Sequence, residues 1–181
     1  MGLTLLIASI PAIVAGSLLY DLVESSLRDV RVIAFTTIGF GLLLWWADVR
    51  FSRHKGLQDM GLKTGLVIGL AQVLALVPGT SRSGITITAG RMLGFDAGSA
   101  ARFSFLLSIP VIAAAGGFGM LRLLGNGTAT DWLQFGLAIV FSALAGWACI
   151  AAFLALLQRV GLMPFVVYRL ALGIVLLWFA Y

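Results

Sequence analysis

Five windows of this chain, about Leu3–Tyr20, Val30–Ala47, Phe103–Leu121, Trp132–Leu157 and Met163–Tyr181, are apolar over close to the ~20 residues that a helix needs to cross a bilayer. Hydrocarbon offers no water to unpaired backbone groups, so segments of this kind cross it as helices. The windows therefore predict an all-α polytopic membrane protein, a helix bundle. Composition agrees: 61% of the 181 residues are hydrophobic and 10% are charged, against about 25% charged in soluble domains.

The formal net charge is +5, but its cations are scattered through short loops and form no basic patch with interleaved aromatics, which excludes a nucleic-acid partner. Membrane topology accounts for them better. If the chain starts on the cytoplasmic side, Arg50, Arg53, Lys55, Lys63, Arg91, Arg102, Arg159 and Arg169 fall inside and Arg28, Arg31 and Arg122 outside, the bias of the positive-inside rule. Cys149 stands alone in an apolar span and offers no disulfide. Trp45, Trp46, Trp132 and Trp178 lie near span ends, where an interfacial aromatic belt is expected. No basic n-region precedes the first span, which argues against a signal peptide.

Between Gly61 and Phe95 the pattern changes. Leu62–Val77 and Ile85–Phe95 are apolar flanks of about sixteen and eleven residues, each too short to cross alone. They predict a re-entrant segment, a broken helix tolerated only where protein or a water-filled cavity surrounds it. Gly61, Gly65 and Gly69 recur on one helix face and predict close helix contact. Ser9-Ile10-Pro11 and Ser108-Ile109-Pro110 echo one another, as expected of the paired repeats common among transporters. On this basis residues 1–60 close a first repeat and residues 61–181 form a second, with the re-entrant loop at 78–84. A counterpart loop in the first repeat would fall before Met1, so either that repeat has none or the chain lacks its beginning.

The loop itself, Pro78-Gly79-Thr80-Ser81-Arg82-Ser83-Gly84, carries a cation at bilayer depth, which costs about 2.5–3.5 kcal/mol on insertion scales and marks a functional site. Pro78 stops one helix, Gly79 and Gly84 permit a tight turn, and Thr80, Ser81 and Ser83 are candidate N-caps for a helix starting near Ile85. Free amides at that N-terminus, with the paired donors of Arg82, make an anion site suited to phosphate. The bland alternative has Arg82 bonding helix-end carbonyls. Gln72 on the preceding half-helix either reaches the same cavity or bonds a neighbouring helix. Arg91 and Arg102 either anchor helices or bond lipid head groups, and Ser104 and Ser108 share a face that lines a cavity or a packing seam. Asp21, Glu24, Asp29, Asp48, Asp59, Asp96 and Asp131 all fall in loops or at span ends, and His54 sits among surface cations, so no metal cage is visible.

Gly69-Leu70-Ala71-Gln72, the Pro78–Gly84 loop and the run from Arg102 through Pro110 resemble the bacterial undecaprenyl-diphosphate phosphatases of the bacitracin-resistance type, over nearly the whole chain and including Pro164-Phe165 and Tyr168-Arg169. The resemblance implies a multi-pass inner-membrane hydrolase. It would remove the terminal phosphate of the C55 polyprenyl diphosphate at a pocket open to the periplasm, recycle the carrier lipid for peptidoglycan synthesis, and confer bacitracin resistance. It implies Arg82 as diphosphate-binding and Ser81 as a second catalytic position. Gly79, Thr80, Ser83, Gly84 and Gln72 are expected to bind substrate. A divalent cation, Mg or Ca, is implied too, but its ligands are not among these residues. The family's Glu-x-x-x-Glu helix and Ser-Ser-Thr-Gly-His turn do not occur in residues 1–181. The expectation is therefore of the C-terminal two-thirds of such an enzyme, inactive alone. A membrane transporter or lipid flippase is the alternative, and a structural fragment bound to a full-length partner a third reading; a homodimer stays open.

Overall fold

A computed structural model describes residues 1–26, 29–125 and 132–180. Arg28 and Asp131 fall outside the described residues, as do the side chains of Asp21, Glu24 and Arg122. The described residues form seven α-helices: α1 (Gly2–Ser26), α2 (Val30–Arg50), α3 (Leu62–Gln72), α4 (Arg82–Met92), α5 (Ala97–Gly125), α6 (Trp132–Val160) and α7 (Met163–Ala180). Five of them, α1, α2, α5, α6 and α7, are long and apolar enough to span a membrane. All five expected windows are thus helices, and the protein is a multi-pass membrane protein.

Helices α3 and α4 have 11 residues each, or about 16 Å of rise, half of a ~30 Å hydrocarbon core. A 3₁₀ turn at Val73–Leu76 continues α3 toward the loop. Helix α4 packs against α2, α3 and α5, and every residue from Ile85 to Arg91 is buried. That enclosure lets a polar sequence lie at membrane depth, because protein shields it on all sides. Its hydroxyls are also satisfied. Thr86 donates to Arg82 O at 2.9 Å, Thr88 to Gly84 O at 2.7 Å, and Thr86 and Ser104 of α5 share a hydrogen bond of 2.7 Å. Ser104 therefore belongs to a packing seam, and Ser108 bonds back to Phe105 O within its own helix.

Two of the three glycines expected to seat α3 do so. A Cβ on Gly69 would overlap Ala8 O of α1 and lie 2.7 Å from its carbonyl carbon, and one on Gly65 would overlap the Thr4 methyl. Gly61 is different: nothing lies within 4 Å of its missing Cβ. It is the N-cap of α3, its amide donating to Thr64 Oγ1 at 3.0 Å. Spacing alone extends a contact stripe by one residue too many where the helix has not yet begun.

At the far end of α4, Arg91 is fully buried and serves as an anchor. Its Nε donates to Asp48 Oδ1 at 2.8 Å, Nη2 to Asp48 O at 3.0 Å, Nη1 to Ser52 O at 3.3 Å and to Phe95 O. One guanidinium thus satisfies the C-terminal carbonyls of α2 and ties them to α4. Phe105, Phe153 and Phe165 join α5, α6 and α7, with ring centroids 5.3 and 4.2 Å apart.

Candidate anion site at the re-entrant loop

Three devices build the loop between α3 and α4. Gly79 takes φ +87°, and a Cβ there would overlap Thr36 Oγ1 and Ile33 O of α2 and lie 3.0 Å from Ile33 Cα, so only glycine fits. Helix α2 grips the same peptides: Thr36 Oγ1 donates to Pro78 O at 2.6 Å and Thr37 Oγ1 to Gly79 O at 3.2 Å. Finally, Ser81 caps α4, its Oγ accepting from Gly84 N at 3.2 Å.

The helix therefore starts at Arg82, three residues earlier than the sequence predicts, and Arg82 is its first residue, not a loop residue. Ser81 is the one non-glycine with positive φ among the described residues, at 67°, a conformation that stores about 1–3 kcal/mol and persists only when its surroundings enforce it. In the first turn of α4 the amides of Arg82 and Ser83 have no intrahelical acceptor, while Gly84 N is taken by Ser81 and Ile85 N by Ser81 O. Ser81 is exposed, and Arg82, Ser83 and Gly84 are half-buried around these amides.

Sequence reasoning missed Arg169. Grouped by sequence with the cations of the inner side, it sits in the first half of α7 and reaches the loop. Its Nη2 donates to Gly79 O and Thr80 O, both at 2.9 Å, and to Thr37 O at 3.3 Å. Nη1 lies 3.4 Å from where a Gly84 Cβ would stand, at the N-terminus of α4. The carbonyl-binding role weighed for Arg82 thus belongs to Arg169. The hints in the sequence are a lone cation inside an apolar span and the place of Tyr168-Arg169 among the residues that resemble the family.

The Arg82 side chain makes no hydrogen bond or ion pair among the described residues, and its Nη1 is buried without a partner. Both amide atoms of Gln72, Thr80 Oγ1 and Arg169 Nε are likewise buried and unpartnered. Gln72 is 2% and Thr80 0% exposed, so bulk water does not satisfy them. Buried polar atoms left unmatched cost about 1–3 kcal/mol each, and all five of these lie on the loop, on the half-helix that feeds it or on the arginine that clamps it. Donors dominate that set, and two guanidiniums with free helix amides have the chemistry that suits an anion.

A divalent cation does not fit this donor set. Hard cations take carboxylate and carbonyl oxygens; among the described residues no carboxylate hydrogen-bonds to the loop or its arginines, no group of three His, Cys, Asp or Glu forms a metal cluster, and the two guanidiniums repel positive charge.

The family model for bacitracin resistance protein BacA matches residues 1–175. This chain belongs to that family. It is 54% identical over 181 residues to the undecaprenyl-diphosphatase of Chromohalobacter salexigens, covering 99% of this chain and 68% of the relative. It is 52% identical over 176 residues to that of Teredinibacter turnerae, covering 97% and 67%. Undecaprenyl-diphosphatase 2 of Stutzerimonas stutzeri is 51% identical over 175 residues, covering 95% and 65%. The BacA-family chain described here thus spans about two thirds of the length of these relatives.

Proposed function

We propose that this chain acts in the hydrolysis of undecaprenyl diphosphate to undecaprenyl phosphate and inorganic phosphate, and that its re-entrant loop binds the diphosphate head. The observation that carries the reading is the set of buried, unpartnered polar atoms on Gln72, Thr80, Arg82 and Arg169, together with the two first-turn amides of α4 that its cap leaves free. The relatives' name supplies the substrate, and the five spans supply the lipid phase in which its chain resides.

In this reading Arg82 extends its paired donors to the phosphate oxygens, and the amides of Arg82 and Ser83 meet the same group along the axis of α4. Arg169 holds the Gly79 and Thr80 carbonyls away from the anion and adds a second positive charge at the helix end. Phosphoryl transfer depends chiefly on positioning and on stabilising charge at the equatorial oxygens, and these residues serve both needs. Ser81 Oγ is engaged as helix cap and lies 3.5 Å from Ser83 Oγ. No general base among the described residues hydrogen-bonds to it, and a serine hydroxyl needs one to attack, so Ser81 binds and shapes the site. The basic end of the bundle faces the cytoplasm of a bacterial inner membrane, and the site opens toward the periplasm, by the positive-inside bias.

The test is binding of a polyprenyl diphosphate to the purified chain in nanodiscs, with phosphate release followed in parallel. Arg82→Ala is expected to weaken binding by about a hundredfold, from a charge-assisted, bidentate contact of about 3 kcal/mol, and Arg82→Lys to recover only part of it. Unchanged affinity in Arg82→Ala would remove the diphosphate from this loop.

A further inference from the structure

One cavity is not explained by the loop. It lies at the opposite end of α4, has a volume of about 410 Å³, and is lined by Arg53, Asp96, Ser99, Arg102, Leu157 and Gln158 among others. Pockets that hold small ligands run from about 300 to 1,000 Å³. About 16 Å of α4 separates it from Ser81, so it is distinct from the diphosphate site.

Its walls come from the segment after α2, the first two turns of α5 and the last turn of α6. Helices α5 and α6 have 29 residues each, about 43 Å of rise. That matches the full bilayer with its head-group regions, about 40–45 Å, so helix ends that line the pocket lie at head-group level. Arg102 projects from α5 without a hydrogen-bond or ion partner among the described residues. Arg53, which lines the same pocket, pairs with Asp48, its Nη2 donating to Asp48 O at 3.0 Å and lying 3.5 Å from Asp48 Oδ2, while 62% of its side chain remains exposed to a further anion. Asp96 does not cancel both cations: its Oδ1 accepts from Ser99 N at 2.8 Å as the cap of α5. On the remaining side Leu157 is apolar and is the one buried residue of α6 among the described residues, and most of the rest of that helix is exposed.

We propose that this pocket binds the phosphate of a membrane phospholipid head group, with the acyl chains lying along α6. Two guanidiniums match the phosphate oxygens, and an apolar helix face that begins at the pocket's rim distinguishes a lipid from a free ion. The proposal does not depend on the diphosphatase reading.

The experiment is native mass spectrometry of the purified chain in detergent, titrated with phosphatidylglycerol or with inorganic phosphate. An Arg82→Ala background keeps the loop from contributing. A basic side chain near an anionic lipid surface contributes about a fivefold affinity change. Arg102→Gln should therefore weaken phosphatidylglycerol binding about fivefold, and Arg53→Gln with Arg102→Gln about twenty-five-fold. Lys63→Gln, which removes an exposed cation outside the pocket, should change it less than twofold. Unaltered thermal melting would show that the arginine variants are folded, and Arg102→Lys should restore part of the binding if they are not. Equal losses from Lys63→Gln would reduce the effect to general surface charge and overturn the proposal. So would inorganic phosphate that binds at the pocket as tightly as the lipid.

Discussion

Replacing Arg169 by glutamine tests the clamp on the loop. The substitution removes two hydrogen bonds of 2.9 Å to Gly79 O and Thr80 O, while the third, at 3.3 Å to Thr37 O, shares a proton with them. Charge-assisted bonds contribute about 1.5–3 kcal/mol each, so about 3–6 kcal/mol is lost. Against this, a neutral side chain no longer burdens the bundle with a cation at membrane depth, a relief of about 2.5–3.5 kcal/mol. The net of about 1–2 kcal/mol corresponds to roughly a tenfold fall in the equilibrium constant that holds the loop in its binding geometry. Affinity for a polyprenyl diphosphate, measured in nanodiscs, should weaken by up to about tenfold through the loop population, and further where the second positive charge is felt directly. Arg169→Lys separates the two contributions, since it keeps the charge and loses the fork; its affinity should lie nearer to the glutamine variant than to the parent. Full restoration by lysine would show that charge alone matters. Unaltered binding by Arg169→Gln would refute the clamp altogether.

Gly79→Ala sets a Cβ against Thr36 Oγ1 and the Ile33 backbone at φ +87°. It should lower stability by about 2–4 kcal/mol, combining left-handed strain with overpacking, read as a fall in melting temperature in detergent together with lost ligand binding; a parent-like melt would show that the turn is not held against α2. Arg91→Met leaves Asp48 beside an apolar side chain and should destabilise by about 3–5 kcal/mol, most of it recovered in the double variant with Asp48→Asn. A double variant as unstable as the single one would mean that the carbonyl contacts, not the ion pair, carry the anchor.

The spanning helices were legible because insertion into lipid is decided locally: a run of apolar residues long enough to cross reads the same in sequence and in space. The re-entrant segment was legible for the converse reason, since two helices of 11 residues cannot cross separately. Arg82 was conspicuous as a cation bracketed by small polar residues. Arg169 was not, because nothing in its own span signals which carbonyls it meets 89 and 90 residues away. Gln72 stood undecided between a cavity and a neighbouring helix, and its burial without partners is visible only once α3 is packed.

The amino-acid sequence alone therefore determined the lipid environment, the helical class, the broken helix and the family resemblance, all of which rest on local hydropathy or on contiguous motifs. Tertiary structure decided which arginine holds the backbone and which is left without a partner, where α4 begins, and which glycines touch a neighbour. Those outcomes depend on donors and acceptors brought together from distant segments, and a hydrogen bond forms only where packing sets both ends within about 3 Å.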